Sequence, residues 1–232
     1  MIKIKHVYIA ILMILVLASY YYEGYLLKAS LIFNIFYIAT ILIAGYVMTR
    51  LELKPLVIFS VIAIILGFFV EFLNTTDTNW AYFNGGQPPV FVAIGWAFIM
   101  AMLYFACGFI KKFLDWKMNP GIPVGFCFIA FFVLSYIGEY ISIITVCLYG
   151  FMLVMGAFYA YTGKFRWTFP VFIVGTFVGT VSEVLGAMCD LWSYQYGELL
   201  PFHMIFAWAA NAFCLLGLLR LLGLDAEELF SE

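Results

Sequence analysis

Residues 67–103 read GFFVEFLNTTDTNWAYFNGGQPPVFVAIGWAFIMAML, and residues 179–215 read GTVSEVLGAMCDLWSYQYGELLPFHMIFAWAANAFCL. A shift of 112 residues lays one stretch on the other without a gap. Ten positions then coincide: Gly67/Gly179, Glu71/Glu183, Leu73/Leu185, Trp80/Trp192, Tyr82/Tyr194, Gly85/Gly197, Pro89/Pro201, Trp96/Trp208, Ala97/Ala209 and Leu103/Leu215. A composition this biased would give roughly three by chance, and apolar bias does not account for shared Glu, Trp and Pro. Outside the window Lys54 falls on Arg166, Tyr37 on Tyr149 and Ser30 on Ser142. Convergence of two membrane segments on one composition is the competing explanation.

Each stretch is an apolar run, a polar loop and a second apolar run, and the whole chain continues that pattern. Of its 232 residues 66% are hydrophobic and only 10% charged, whereas a soluble domain is nearer half apolar and a quarter charged. That excludes a soluble enzyme, a nucleic-acid binder and a disordered chain. The net charge of −2 argues against a polyanionic partner. The reading is a multi-pass protein of the cell membrane whose surroundings are membrane lipid. Cys107, Cys127, Cys147, Cys189 and Cys214 are scattered, and four of them lie in apolar runs, which suits buried thiols.

Apolar runs long enough for a ~30 Å hydrocarbon core occur eight times, at 7–22, 30–49, 55–74, 88–110, 120–137, 141–161, 168–188 and 201–222. Turn and charge signals separate them: Glu23-Gly24, Arg50 to Lys54, Asn84 to Pro89 (through Gly86-Gln87), Lys117 to Pro120, Gly138-Glu139, Gly163-Lys164 and Gly197 to Pro201. A signal peptide is the alternative for residues 1–22, but Ser19-Tyr20-Tyr21-Tyr22 lacks the small residues of a cleavage site. With eight spans, ten of the eleven basic residues fall on one side, Lys28 alone lying opposite. The positive-inside rule then places both termini in the cytoplasm.

The shift also lays spans 1–4 on spans 5–8. The expected architecture is all-α, with eight transmembrane helices as two parallel four-helix repeats, 1–112 and 113–224, related by an axis along the membrane normal. Residues 225–232 follow as a short acidic tail, expected to be solvated.

Ala63, Gly67 and Glu71 recur every four residues, as do Gly175, Gly179 and Glu183. Such spacing puts each set on one helix face, and small residues admit a neighbouring backbone in lipid. The stripe should therefore face protein, with Glu71 about 24 Å along its span. An ionisable residue at that depth is a functional candidate. Two carboxyl groups facing each other in a dry chamber cannot both ionise, so Glu71 and Glu183 together would hold a transferable proton and act as general acid. The alternative is a structural pair bonded to Asn74, Thr75 or a tyrosine. Asp190 joins the candidate acids; Asp77, near it in the repeat, misses its register by one. Glu23 and Glu198 read as solvated loop acids, and Glu139, wedged between two spans, stays open.

Trp80, Tyr82, Trp192 and Tyr194 serve equally as interfacial belt residues or as ligand contacts. Trp96 and Trp208 lie seven residues inside their spans, where they either pack or hold an apolar ligand or a developing cation against their rings. His203 and Asn211 have no polar counterparts, since Phe91 and Ile99 take their places in the first half; they are candidates for an extra proton donor and a substrate contact. Two histidines without ligand spacing make a metal site unexpected, and no nucleotide motif points to a cofactor.

Glu183-Val-Leu-Gly186, Trp192-Ser-Tyr194, Pro201 and Ala207-Trp208 together resemble the membrane-embedded carotenoid-modifying proteins. These include the hydratases that add water to acyclic carotenoid chains and, more distantly, the heterodimeric-type lycopene cyclases. Glu71-Phe-Leu-Asn74, Trp80-Ala-Tyr82, Pro89 and Gly95-Trp96 match more loosely, and the resemblance covers about 35 residues per half. The cyclases' Pro-x-Glu-Glu acids are absent, because Val-Phe-Val follows Pro89 and Phe-His-Met follows Pro201. The resemblance implies carotenoid biosynthesis by a lyase or isomerase. A buried carboxylic acid would protonate an isoprenoid double bond, and aromatic rings would hold the cation until water or an internal alkene captured it.

Two other readings compete. A proton-coupled carrier of a small molecule or lipid would also have parallel repeats and intramembrane carboxyls, although Pro55, Pro89, Pro120, Pro170 and Pro201 all stand at span starts rather than midpoints. A non-catalytic membrane subunit is the third.

Overall fold

The computed structural model describes residues 3–85, 88–113, 119–162 and 167–230. Gly86, Gln87, Lys117, Gly163, Lys164, Arg166 and the last two residues of the tail lie outside them.

The chain is helical wherever it is continuously apolar, because a backbone surrounded by hydrocarbon must satisfy its polar groups within the segment. The order is α1 (Ile4–Tyr22), α2 (Tyr25–Lys28), α3 (Leu31–Met48), α4 (Leu53–Thr76), β1 (Trp80–Tyr82), α5 (Val90–Lys111), α6 (Gly121–Ile137), α7 (Ile143–Thr162), α8 (Thr168–Met188), β2 (Trp192–Tyr194), α9 (Met204–Leu221) and α10 (Ala226–Phe230). All but α2, α6 and α10 are long and apolar enough to cross a membrane, making seven among the described residues; α6 has 17 residues. Their outer faces carry large bare side chains, such as Ile14, Ile35, Ile129 and Phe177, each more than 60% exposed. No water-facing surface is built this way. The protein is an all-helical, multi-pass membrane protein.

The punctuation is local. Gly24, at φ +83°, ends α1 in the left-handed conformation a glycine tolerates, and the Ser30 hydroxyl caps α3 by accepting from the Phe33 N–H at 3.2 Å. Pro55 and Pro170 each stand third in their helices, where no intrahelical N–H bond is lost.

Two compact units form, residues 1–102 with 185–199 and residues 103–184 with 200–232. In the first, α1 packs on α3 and α2, and α4 on α1 and β1. It also contains the two strands, each too short to leave a period in the sequence. β1 and β2 pair antiparallel, Trp80 opposite Tyr194, Ala81 opposite Ser193 and Tyr82 opposite Trp192. The loops leading into them share one design at positions 112 apart. Thr78 and Asp190 are both left-handed, at φ +59° and +52°, as are Gly85 and Gly197, at +66° and +76°. The Asn79 N–H donates to the Asn74 carbonyl and the Leu191 N–H to the Gly186 carbonyl; across the ribbon Phe83 donates to Leu191, and Gln195 to Asn79. Asp77 thus has no claim to pair with Asp190, since Thr78 occupies that register.

In the second unit α9 packs on α7 and α6, and Gly217 lets α9 approach the Met155 backbone of α7. Two expectations need correction here. The acidic tail is not wholly solvated. Glu227 is 5% exposed, accepts from the Tyr159 hydroxyl at 3.2 Å and faces Lys111 at 3.8 Å, while Phe230 lies on Gly108 and Tyr104. An apolar residue every few positions in Ala226-Glu-Glu-Leu-Phe230 gives this short helix a face to bury. Cys147 is exposed, because it falls on the outward side of α7 rather than on the face carrying Leu148 and Tyr149.

Candidate functional site

Glu71 stands in the last turns of α4, 8% exposed. One turn earlier Gly67 leaves room for the Trp96 ring, which a Cβ at that position would strike. The ring therefore lies against the α4 backbone and donates its indole N–H to Glu71 Oε1 at 3.1 Å. β1 closes the other side. The Tyr82 hydroxyl donates to Oε2 at 2.6 Å and the Trp80 indole N–H to the same oxygen at 3.2 Å. A carboxyl in an apolar surround must be hydrogen-bonded, and here aromatic side chains supply three donors. The structure thus brings Glu71, Trp80, Tyr82 and Trp96 into one cluster.

Beside it lies an aromatic group not singled out in the sequence. The Tyr25 ring meets Phe83 and Phe91 at 4.5 Å each and Tyr82 at 6.4 Å. Tyr20 packs on Tyr37 at 4.7 Å and on Phe91 at 5.0 Å. Glu23, expected to be a solvated loop acid, is half-buried, and its Oε1 accepts the Val90 N–H at 2.9 Å. Burial pushes the Tyr25 hydroxyl well above its ordinary range, and the charges of Glu23 and Glu71 push it further. The available signal was Ser19-Tyr-Tyr-Tyr-Glu-Gly-Tyr25, a density of tyrosines around an acid at a span end.

The second copy repeats the core of this arrangement. Gly179 lies against Trp208, and the Trp208 indole N–H donates to Glu183 Oε1 at 2.7 Å. A turn earlier a Cβ at Gly175 would stand 2.8 Å from the Ala209 Cα, so α8 and α9 are in near-backbone contact. Glu183 is half-buried. Its tryptophan comes from the next long helix, as it does for Glu71.

The other candidates divide. Tyr194 is buried in the ribbon and meets Trp80 edge-on at 6.5 Å; Trp192 meets Tyr82 at 6.2 Å and rests on Gly186. Asp190 is exposed in the turn before β2. His203 is buried at the N-cap of α9, where its ring packs on Tyr140 at 4.5 Å and Phe131 at 5.5 Å, much as Phe91 packs among tyrosines. Asn211 is 3% exposed, and its Oδ1 has no hydrogen-bond partner among the described residues. The Thr176 and Thr180 hydroxyls on α8 are in the same condition. Among the described residues no three His, Cys, Asp or Glu side chains gather as metal ligands.

No protein-family model, curated protein or solved structure matches the chain.

Proposed function

We propose that this protein is an eight-span, cytoplasm-ended duplication of a four-helix unit in the cell membrane, and that it transfers a proton to a double bond of an apolar isoprenoid such as a carotenoid. Glu71 and Glu183 are the carboxyl groups that give and recover the proton. The observation carrying this reading is the recurrence, 112 residues apart, of a carboxyl bonded to a deep indole over a glycine, Glu71–Trp96–Gly67 and Glu183–Trp208–Gly179. The matched loops and the ribbon register support the duplication, and α6, at 17 residues, reaches the lower limit of a spanning helix.

In the proposed step a carboxyl O–H bond breaks as a C–H bond forms at one alkene carbon, leaving a cation on the other. Ring faces of Trp96 or Trp208 offset that charge. Water then adds its oxygen and returns a proton to the carboxylate, which amounts to hydration. Alternatively an internal alkene closes a ring, and a neighbouring C–H returns the proton, which amounts to isomerisation. No redox equivalent is consumed.

A second reading has an observation of its own. Three donors on Glu71 tie α4 to β1 and α5, so the carboxyl also serves as a packing hub. Glu71→Gln and Glu183→Gln separate the two. Lipid extracts of cells carrying either variant should accumulate an unmodified isoprenoid while the protein remains folded. Unchanged extracts with lowered thermal stability favour the hub, and lost pH-driven solute uptake with unchanged extracts favours a carrier.

A further inference from the structure

Two sealed oxygens near the Glu71 cluster have no hydrogen-bond partner among the described residues. One is Glu23 Oε2, whose companion Oε1 is held by the Val90 N–H; the other is the hydroxyl of Tyr25, a residue 0% exposed. They belong to residues two apart, joined by the left-handed Gly24. A buried carboxylate oxygen is a strong acceptor, and a buried phenol is both donor and acceptor. Leaving either unmade is costly in a buried setting, and bound water is the usual remedy for such atoms. Rings of Tyr20, Tyr82, Phe83 and Phe91 pack on the Tyr25 ring. The titratable groups acting on Tyr25 are the Glu23 carboxyl in the turn and the Glu71 carboxyl on α4, with the Tyr20 and Tyr82 phenols packed against its ring.

We infer that a water molecule bound between Glu23 Oε2 and the Tyr25 hydroxyl forms the outer end of a proton path that leads past Tyr82 to the Glu71 carboxyl. Each member accepts one proton and releases another, so no charge accumulates along the path and no co-reactant is needed. Glu23 stands at the C-terminal cap of α1, beyond the apolar span, and Tyr82 already donates to Glu71 at 2.6 Å. The path deepens the proton-transfer reading of Glu71 and depends on it for its purpose, but its test requires no substrate. Glu23 and Tyr25 become positioning residues for the proton.

The test uses the full chain in lipid nanodiscs. X-ray hydroxyl-radical footprinting in isotopically labelled water generates radicals where water is bound. Tyr25 should take up label at a rate near that of the exposed Tyr21 and Tyr22. Tyr104, equally buried but donating to the Ala212 carbonyl at 2.7 Å, should not. A Tyr25 as protected as Tyr104 overturns the water site. In a second measurement, infrared spectroscopy follows deuterium entering the Tyr82–Glu71 hydrogen bond after transfer to heavy water. Tyr25→Phe and Glu23→Gln should each slow that entry about a hundredfold, as loss of a positioned proton-transfer group does. Tyr37→Phe should leave it unchanged. Unaltered exchange in both relay variants overturns the path. If both measurements succeed and the lipid extracts are unchanged, the path stands and the isoprenoid reading falls.

Discussion

Trp96 lies across the backbone of Gly67 so closely that no side chain fits between them. The relation recurs between Trp208 and Gly179. Gly67→Leu and Gly179→Leu must therefore displace an indole that also holds a glutamate. Overpacking alone costs about 1–3 kcal/mol, and the broken N–H···carboxyl bond adds to it. Each variant should melt well below the parent in detergent. Gly125 and Gly150 have open space where a Cβ would go. Gly125→Ala and Gly150→Ala should be neutral or stabilising by up to about 1 kcal/mol, since alanine loses less entropy in a helix. Equal losses at all four positions would remove the case for a specific glycine–indole fit.

The 2.6 Å bond from Tyr82 to Glu71 is shorter than those from Trp80 and Trp96, at 3.2 and 3.1 Å. Tyr82→Phe keeps the ring and deletes that donor, which should cost about 1–3 kcal/mol because the acceptor stays buried. Trp80→Phe removes the 3.2 Å donor and also leaves part of a buried indole site empty, so it should cost at least as much. Chemical denaturation in mixed micelles, monitored by circular dichroism, measures both. A parent-like Tyr82→Phe would mean that its bond to Glu71 is dispensable.

The β1–β2 ribbon places Ala81 opposite Ser193, with both side chains exposed. Because Phe83 donates to Leu191 and Gln195 to Asn79, the alternation of an antiparallel ladder makes Ala81 and Ser193 a hydrogen-bonded pair. Ala81→Pro and Ser193→Pro should each delete a ladder N–H donor and open the ribbon, at a cost of about 1–3 kcal/mol. Ala81→Ser should change nothing. Tryptophan emission from Trp80 and Trp192 reports the opening; parent-like spectra in both proline variants would show that the ribbon is dispensable.

How far the sequence reaches is visible at particular residues. The helices were legible because a span in lipid has one solution, and Gly67, Glu71 and Trp96 were legible because their spacing recurs at Gly179, Glu183 and Trp208. The ribbon was not, since three residues are too few for a period, although a duplicated Trp-x-Tyr is an alternation of two. Glu23 reads as a solvated loop acid and Tyr25 carries no signal of its own, because burial of a turn depends on what covers it, here Phe83 and Phe91 from far along the chain. His203 was read by its chemistry, whereas its ring packs as an aromatic residue against Phe131 and Tyr140.

The tail shows the same dependence and gives a final prediction. α10 is too short to be stable alone, so its order rests on what Glu227 and Phe230 touch. The ion pair to Lys111 spans a long 3.8 Å, with the lysine side chain 26% and the glutamate 6% exposed, and solvent at the ammonium holds its contribution to about 1 kcal/mol. Glu227→Gln, which keeps an acceptor for Tyr159, should therefore change little. Glu227→Leu leaves the buried Tyr159 hydroxyl unpaired and should loosen the tail further. Phe230→Ala removes the ring from Tyr104 and should loosen it most. Carboxypeptidase digestion reads the order directly, with removal of residues 226–230 slowest in the parent and fastest in Phe230→Ala. If Glu227→Gln were the most rapidly trimmed, charge rather than packing would hold the tail.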